Sequence, residues 1–252
     1  MPASTENMVK VFGRPESLNE VQFSYCPGCH HGVITRIIAQ TIDDLGIRDR
    51  TVLIAPVGCS VSMYQWFRCD GTQAAHGRAC AVATGIKRVN PNLIVFTYQG
   101  DGDLAAIGTA ESIHAANRGE NITVIFINNQ IYGMTGGQMA PTTLLGQWAT
   151  SCPAGRDSGL TGYPLRFAEM VAQLDAPVYV TRQSLYDQKR IMATSRAVMK
   201  AFRYQIEGKG YSLVEVLTNC PTNWKMSPVE ANRRLAEVVI ETFPLGDLVD
   251  RG

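Results

Sequence analysis

The stretches LIVFTYQGDGDL at residues 93–104 and ITVIFINN at residues 122–129 decide how this chain is read. Each opens with a short, β-branched, apolar run of the kind that forms a strand buried on both faces of a parallel sheet. Each then breaks into small polar residues: Gln99-Gly100-Asp101-Gly102-Asp103 in the first, Asn128-Asn129 in the second. Working outward, residues 51–57 (TVLIAPV), 178–181 and 213–217 (LVEVL) read as three further strands. Helical patterns occupy residues 32–45, 74–89, 104–118, 164–174, 188–208 and 228–241. This alternation predicts an α/β fold, a doubly wound parallel sheet with right-handed crossovers. Ligands of such sheets bind beyond the carboxyl ends of the strands. Chemistry is therefore expected just after Val57, Tyr98, Ile127 and Leu217.

The chain of 252 residues suits a single domain over 1–252 with a sizeable core. Charged residues make up 18%, below the usual quarter, which fits either a well-buried core or a surface covered by partner subunits. A formal net charge of +1 argues against nucleic acid or an acidic membrane as the main partner. No run of about 18 apolar residues is present to span a membrane. The first ten residues are polar, without the apolar core of a signal peptide, so a cytoplasmic location is expected. In that compartment seven cysteines, an odd number, point to free thiols or ligation rather than disulfides.

Gly100 and Gly102 permit a tight turn, and the following helix directs its N-terminal N–H groups at the same spot. That is a place for phosphate, yet Asp101 would repel it. A divalent cation between carboxylate and diphosphate removes the conflict, and Mg²⁺ suits such oxygen ligands. Asn129 offers an amide oxygen at the next strand end, whereas Asp103 reads better as a helix N-cap than as a ligand. Gly-Asp-Gly with Asn-Asn at the following strand resembles the diphosphate-binding domain of thiamine pyrophosphate enzymes. The resemblance implies that Asp101, the Asn129 side chain and the backbone carbonyl of Ile131 hold the metal.

Cys26-Pro27-Gly28-Cys29 lies in a loop before the first helix and admits a redox pair, a zinc site or an iron–sulfur site. Cys59 and Cys220 each follow a strand, beside Asp101 and Asn129 on the expected rim. Cys80 sits in an Ala/Val-rich helix and reads as a core residue. Cys69 and Cys152 carry no assignment.

Six motifs in order, Cys26-Pro27-Gly28-Cys29-His30, Pro56-Val57-Gly58-Cys59, Ala75-His76-Gly77-Arg78, Gly100-Asp101-Gly102-Asp103, Tyr132-Gly133-Met134-Thr135-Gly136-Gly137-Gln138 and Cys220-Pro221-Thr222-Asn223-Trp224, resemble the thiamine-binding β subunit of 2-oxoacid:ferredoxin oxidoreductases. The resemblance covers about Tyr25 to Val229. It implies a [4Fe–4S] cluster on Cys26, Cys29, Cys59 and Cys220, with His30 and His31 not ligands. It places thiamine pyrophosphate against Gly58, Cys59, His76, Gly100, Asp101, Gly102, Asp103, Asn129, Ile131, Gly133, Met134 and Thr135. His76 would contact diphosphate or the reacting carboxylate, and Met134 would prop the bent cofactor. The reaction implied is oxidative decarboxylation of a 2-oxoacid with coenzyme A, electrons leaving through the cluster to ferredoxin.

Some relatives carry Lys where this chain has Gly136, and glycine cannot pair with a distal substrate carboxylate. The expected substrate is therefore a 2-oxoacid without one, such as the branched-chain 2-ketoisovalerate. No pyrimidine-binding half is recognisable, so the activating glutamate is expected from a partner subunit, alongside γ-type and ferredoxin-like subunits. Two rival readings remain: a non-redox thiamine decarboxylase subunit, which has no use for the cysteines, and a zinc-stabilised assembly subunit, which has none for Asp101 and Asn129.

Overall fold

The computed structural model describes residues 13–252, so the polar opening segment read above lies outside the described residues. In chain order the elements are α1 (His31–Leu45), β1 (Thr51–Ala55), α2 (Met63–Trp66), β2 (Asp70–Gln73), α3 (Ala79–Val89), β3 (Ile94–Gly100), α4 (Thr109–Asn117) and β4 (Thr123–Asn128). Then come α5 (Ser158–Thr161), α6 (Phe167–Ala172), β5 (Tyr179–Ser184), α7 (Gln188–Ile206), β6 (Ser212–Leu217), α8 (Pro221–Trp224), α9 (Pro228–Arg234), α10 (Ile240–Thr242) and β7 (Gly246–Asp250).

The strands form one sheet in the order β2-β1-β3-β4-β6-β5-β7. Neighbouring pairs are parallel except β5 with β7, which run antiparallel, so the expected all-parallel sheet gains one reversed edge. Helices cover both faces, as a doubly wound fold requires. Leu53, Ala55, Phe96 and Tyr98 pack with α1 and α7 residues such as Ile38 and Phe202. Val52, Ile54, Val95 and Phe126 alternate to the other face and meet Ala83, Ala116 and Phe167 of α3, α4 and α6. This two-sided burial explains why β1, β4 and β6 are apolar or neutral almost throughout.

Local sequence sets several boundaries. Gly46 stops α1 in the left-handed conformation, Asp187 accepts the Arg190 N–H to start α7, and a Ser227–Glu230 capping box starts α9. The helix expected from residue 74 begins only at Ala79, because residues 74–78 form a loop over the sheet edge. Between Asp103 and Ile107 the chain makes a wide π-type turn before α4, and Leu235–Val239 interrupts the last helix in the same way. β2 and β7 are additions to the expected strands. Both are short, largely exposed edge segments whose polar residues give no strand signal.

Beneath the sheet ends, Arg182 on β5 forms ion pairs at 2.8 Å with Glu215 of β6 and at 2.5 Å with Glu169 of α6. Asn128 completes this network by donating to Glu215 at 2.7 Å. Burial pushes the Glu215 carboxyl up, opposed by Arg182. Arg182→Ala strands a fully buried carboxylate, and breaking such a pair costs about 3–5 kcal/mol. Urea denaturation of the variant should show a loss of that size, and a loss under about 1 kcal/mol contradicts the assignment.

Candidate active site

Strands β1, β3, β4 and β6 are four consecutive neighbours in the sheet, all parallel, so their carboxyl ends open onto one rim. The motif after each strand is thereby set next to the others: Gly58-Cys59, Gly100–Asp103, Asn129–Ile131 and Asn219-Cys220. Every residue expected to touch cofactor lines a single cavity there, of about 190 Å³. A larger hollow of about 690 Å³ lies between α1 and α7 and contains none of the motif residues.

Asp101 and Asn129 face one another across the rim. The Ile131 N–H donates to Asp101 Oδ2 at 3.2 Å and to Asn129 Oδ1 at 3.3 Å. Asp101 also accepts from Thr142 Oγ1 at 3.0 Å and from the Gly102 N–H at 2.9 Å. Thr142 lies far along the chain in an irregular segment, and its sequence carries no signal of this contact. Burial pushes the Asp101 carboxyl up to about 7, against the pull of these donors. The site thus offers hard oxygen donors in a dry place, a donor set that fits Mg²⁺.

Asp103 departs from expectation. It does not cap its own helix; the cap residue is Gly102, and no side chain bonds the helix end. Its buried carboxylate instead accepts from the Val57 N–H at 3.2 Å, the Gly77 N–H at 3.0 Å, His76 Nδ1 at 2.6 Å and Gln99 Nε2 at 2.6 Å. It therefore ties the β1 loop and the His76 loop to the end of β3. With Nδ1 donating to Asp103, the half-exposed His76 keeps Nε2 for the cavity. Met134 is 58% exposed on the rim, an apolar side chain standing free beside the cavity.

Two of the four motif cysteines, Cys59 and Cys220, meet at the Gly133 loop. A Cβ placed on Gly133 would stand 3.1 Å from Cys59 Sγ and 3.7 Å from Cys220 Sγ, so both sulfurs lie on the side of this glycine where a side chain would go. Cys59 and Gly133 also line the cavity, so the cavity and the Cys59–Cys220 contact share the Gly133 loop. Burial first, and then the neighbouring cysteines, push the Cys29 and Cys59 thiols up to about 12. Asn219 clamps the loop of Cys26 and Cys29, accepting from the His30 N–H at 3.1 Å and donating to the Gly28 carbonyl at 3.1 Å. Asn223 donates to Cys220 Sγ at 3.3 Å, and the only sequence signal of Asn219 and Asn223 is their place beside Cys220 in the closing motif.

Among the described residues, no three His, Cys, Asp or Glu side chains converge closely enough to hold one metal ion. Thiolate sulfur is the donor an iron–sulfur cluster takes, and Cys26, Cys29, Cys59 and Cys220 are all free thiols. Cys80 is a core residue as expected, donating to Gln99 Oε1 at 3.2 Å. Cys69 packs at the edge of one core, and Cys152 faces the Gln147 carbonyl.

Comparison with known proteins bears on the family and the fold. The family of thiamine pyrophosphate enzymes, defined by the C-terminal TPP binding domain, matches residues 56–216. The ketoisovalerate oxidoreductase subunit VorA of Methanothermobacter thermautotrophicus is 48% identical over 96% of this chain and 53% of its own length. The 2-oxoglutarate synthase subunit KorB of Archaeoglobus fulgidus is 36% identical over 84% of this chain and 75% of its own. Among solved structures, the 2-oxoglutarate:ferredoxin oxidoreductase from Magnetococcus marinus, with 2-oxoglutarate, coenzyme A and succinyl-CoA bound, matches with a TM-score of 0.78 at 25% identity. That match covers 98% of this chain and 86% of the other. The chain belongs to the thiamine pyrophosphate enzymes and, within them, to the β-subunit family of the 2-oxoacid:ferredoxin oxidoreductases. It spans about half the length of the ketoisovalerate relatives it matches.

Asp103→Ala removes the acceptor of two backbone N–H groups and two side-chain donors. At about 1–3 kcal/mol for each buried group left unpaired, a stability loss of roughly 3 kcal/mol is expected in chemical denaturation. A variant within about 0.5 kcal/mol of wild type contradicts the role as a tie between loops.

Proposed function

We propose that this chain is the thiamine pyrophosphate-binding subunit of a cytoplasmic 2-oxoacid:ferredoxin oxidoreductase that acts on a branched-chain 2-oxoacid with coenzyme A. The observation that carries this reading is the shared loop: the cavity that gathers Asp101, Asn129 and His76 meets the sulfurs of Cys59 and Cys220 at Gly133. In this reading Asp101, the Asn129 side chain and the Ile131 carbonyl hold Mg²⁺, and Cys26, Cys29, Cys59 and Cys220 hold a [4Fe–4S] cluster. When bound, thiamine pyrophosphate supplies the electron sink for decarboxylation and the cluster supplies a one-electron acceptor.

The chain's own residues then have distinct tasks. Asp101 and Asn129 place the cation, and with it the diphosphate, at the end of β3. A cation there draws the buried Asp101 carboxyl back to its ionised form. His76, oriented through Nδ1 by Asp103, presents Nε2 to the cavity and can take or give a proton there. Met134 holds the bound group from its exposed side. Among the described residues no helix is long and apolar enough to cross a membrane.

Substrate choice rests on the loop after Tyr132. Gly136 has φ of +106°, a conformation strained for any residue with a side chain, and stands in open space. A lysine is thus disfavoured on this backbone, and no cation is set there for a second substrate carboxylate. The relatives named for ketoisovalerate support the same choice, while the relatives named for 2-oxoglutarate supply the comparison substrate. The activating glutamate, γ-type and ferredoxin-like chains, and ferredoxin itself are assigned to partners.

Two measurements test the reading. In the anaerobically prepared complex, kcat/KM for 2-ketoisovalerate should exceed that for 2-oxoglutarate at least about tenfold; the reverse order overturns the substrate assignment. Asp101→Ala should weaken thiamine pyrophosphate binding in the presence of Mg²⁺ by at least about tenfold, near 1.4 kcal/mol. Unchanged affinity by calorimetry overturns the cation site.

A further inference from the structure

Asn223 stands where the two halves of the site meet. Its Nδ2 lies 2.9 Å from the Gly133 carbonyl and 3.3 Å from Cys220 Sγ. An amide NH₂ has two hydrogens, so both contacts can be made at once. Both partners are acceptors, which settles which end of the amide faces them. The geometry is held from several directions. Pro221 opens α8, Lys225 closes it in the left-handed conformation, and Trp224 is anchored through its Nε1 to the Asn129 carbonyl at 3.2 Å. Gly137 leaves the amide its room, since a Cβ there would stand 3.1 Å from Asn223 Oδ1.

A donor aimed at a ligating sulfur changes the energy of an iron–sulfur cluster on reduction. Going from the 2+ to the 1+ state adds one electron and raises negative charge on the sulfurs, so an N–H donor stabilises the reduced state more. We propose that Asn223 is a positioning residue that raises the reduction potential of the cluster on Cys26, Cys29, Cys59 and Cys220, while its bond to the Gly133 carbonyl keeps that ligand in register with the cofactor cavity. This rests on the cluster reading given above. It adds that the electron acceptor is tuned from the same loop that lines the thiamine site.

The test is a dithionite titration of the intact, anaerobically prepared complex, followed by electron paramagnetic resonance. Wild type, Asn223→Ala and Asn223→Asp are compared, and the cluster of this chain is identified as the signal lost in Cys220→Ser. One electron passes from dithionite to the cluster in each case. Removing the donor should lower the one-electron reduction equilibrium about tenfold, a midpoint shift of 59 mV to lower potential. Asn223→Asp, which keeps the size but replaces the donor with negative charge, should fall at least as far. An unchanged or higher midpoint in both variants overturns the inference. So does loss of the cluster from both variants while wild type retains it, which would make Asn223 a structural residue only. A wild-type complex with no signal dependent on Cys220 instead overturns the cluster reading on which the inference stands.

Discussion

The backbone N–H of Ile131, shared between Asp101 and Asn129, is the bond on which the site depends. It joins the loop after β3 to the loop after β4 and turns two hard oxygen donors toward one another. It also starts the turn that carries Tyr132, Gly133 and Met134 along the cavity. From Gly133 the chain meets Cys59, Cys220 and Asn223. A single peptide segment therefore borders both an oxygen-lined pocket and the sulfurs of Cys59 and Cys220. That arrangement is possible because β1, β3, β4 and β6 run side by side in one direction, which brings four distant loops to a common level.

The supporting structure is built to keep that rim still. Asn128 and Asn129 divide their work: one side chain goes to the buried Arg182–Glu215 pair, the other to the site. Asp103 holds the His76 loop and the β1 loop from below, and Asn219 holds the loop of Cys26 and Cys29. A third apolar cluster containing Ile131, Leu217, Trp224 and Phe243 fills the space behind the rim. The pocket is thus set by bonds between loops as well as by the sheet.

Much of this was legible in the sequence, for identifiable reasons. Strands buried on both faces must be apolar and β-branched, so β3 and β4 announce themselves, and the parallel-sheet rule then locates the chemistry at their ends. The edge strands β2 and β7 were not legible because half-exposed polar residues are held there only by a neighbour's backbone. Asp103 was misread for a related reason. A carboxylate before a helix suits a cap by local rules, but its partners Val57 and Gly77 come from elsewhere in the chain and outcompete the helix end. The same holds for the late start of α3: residues 74–78 can form a helix locally, yet the bonds of His76 and Gly77 to Asp103 keep them in a loop. Thr142 reaches Asp101 from an irregular segment with no periodicity to read.

The proposed reading is spatial: it would put an oxygen-ligated cation and a sulfur-ligated iron cluster on opposite sides of the Gly133 loop. The most direct measurement is anomalous diffraction at the iron absorption edge from anaerobically grown crystals of the complex. The account predicts an iron peak enclosed by the sulfurs of Cys26, Cys29, Cys59 and Cys220, beside the Gly133 loop. Crystals whose iron-loaded complex shows no peak among those sulfurs would contradict it.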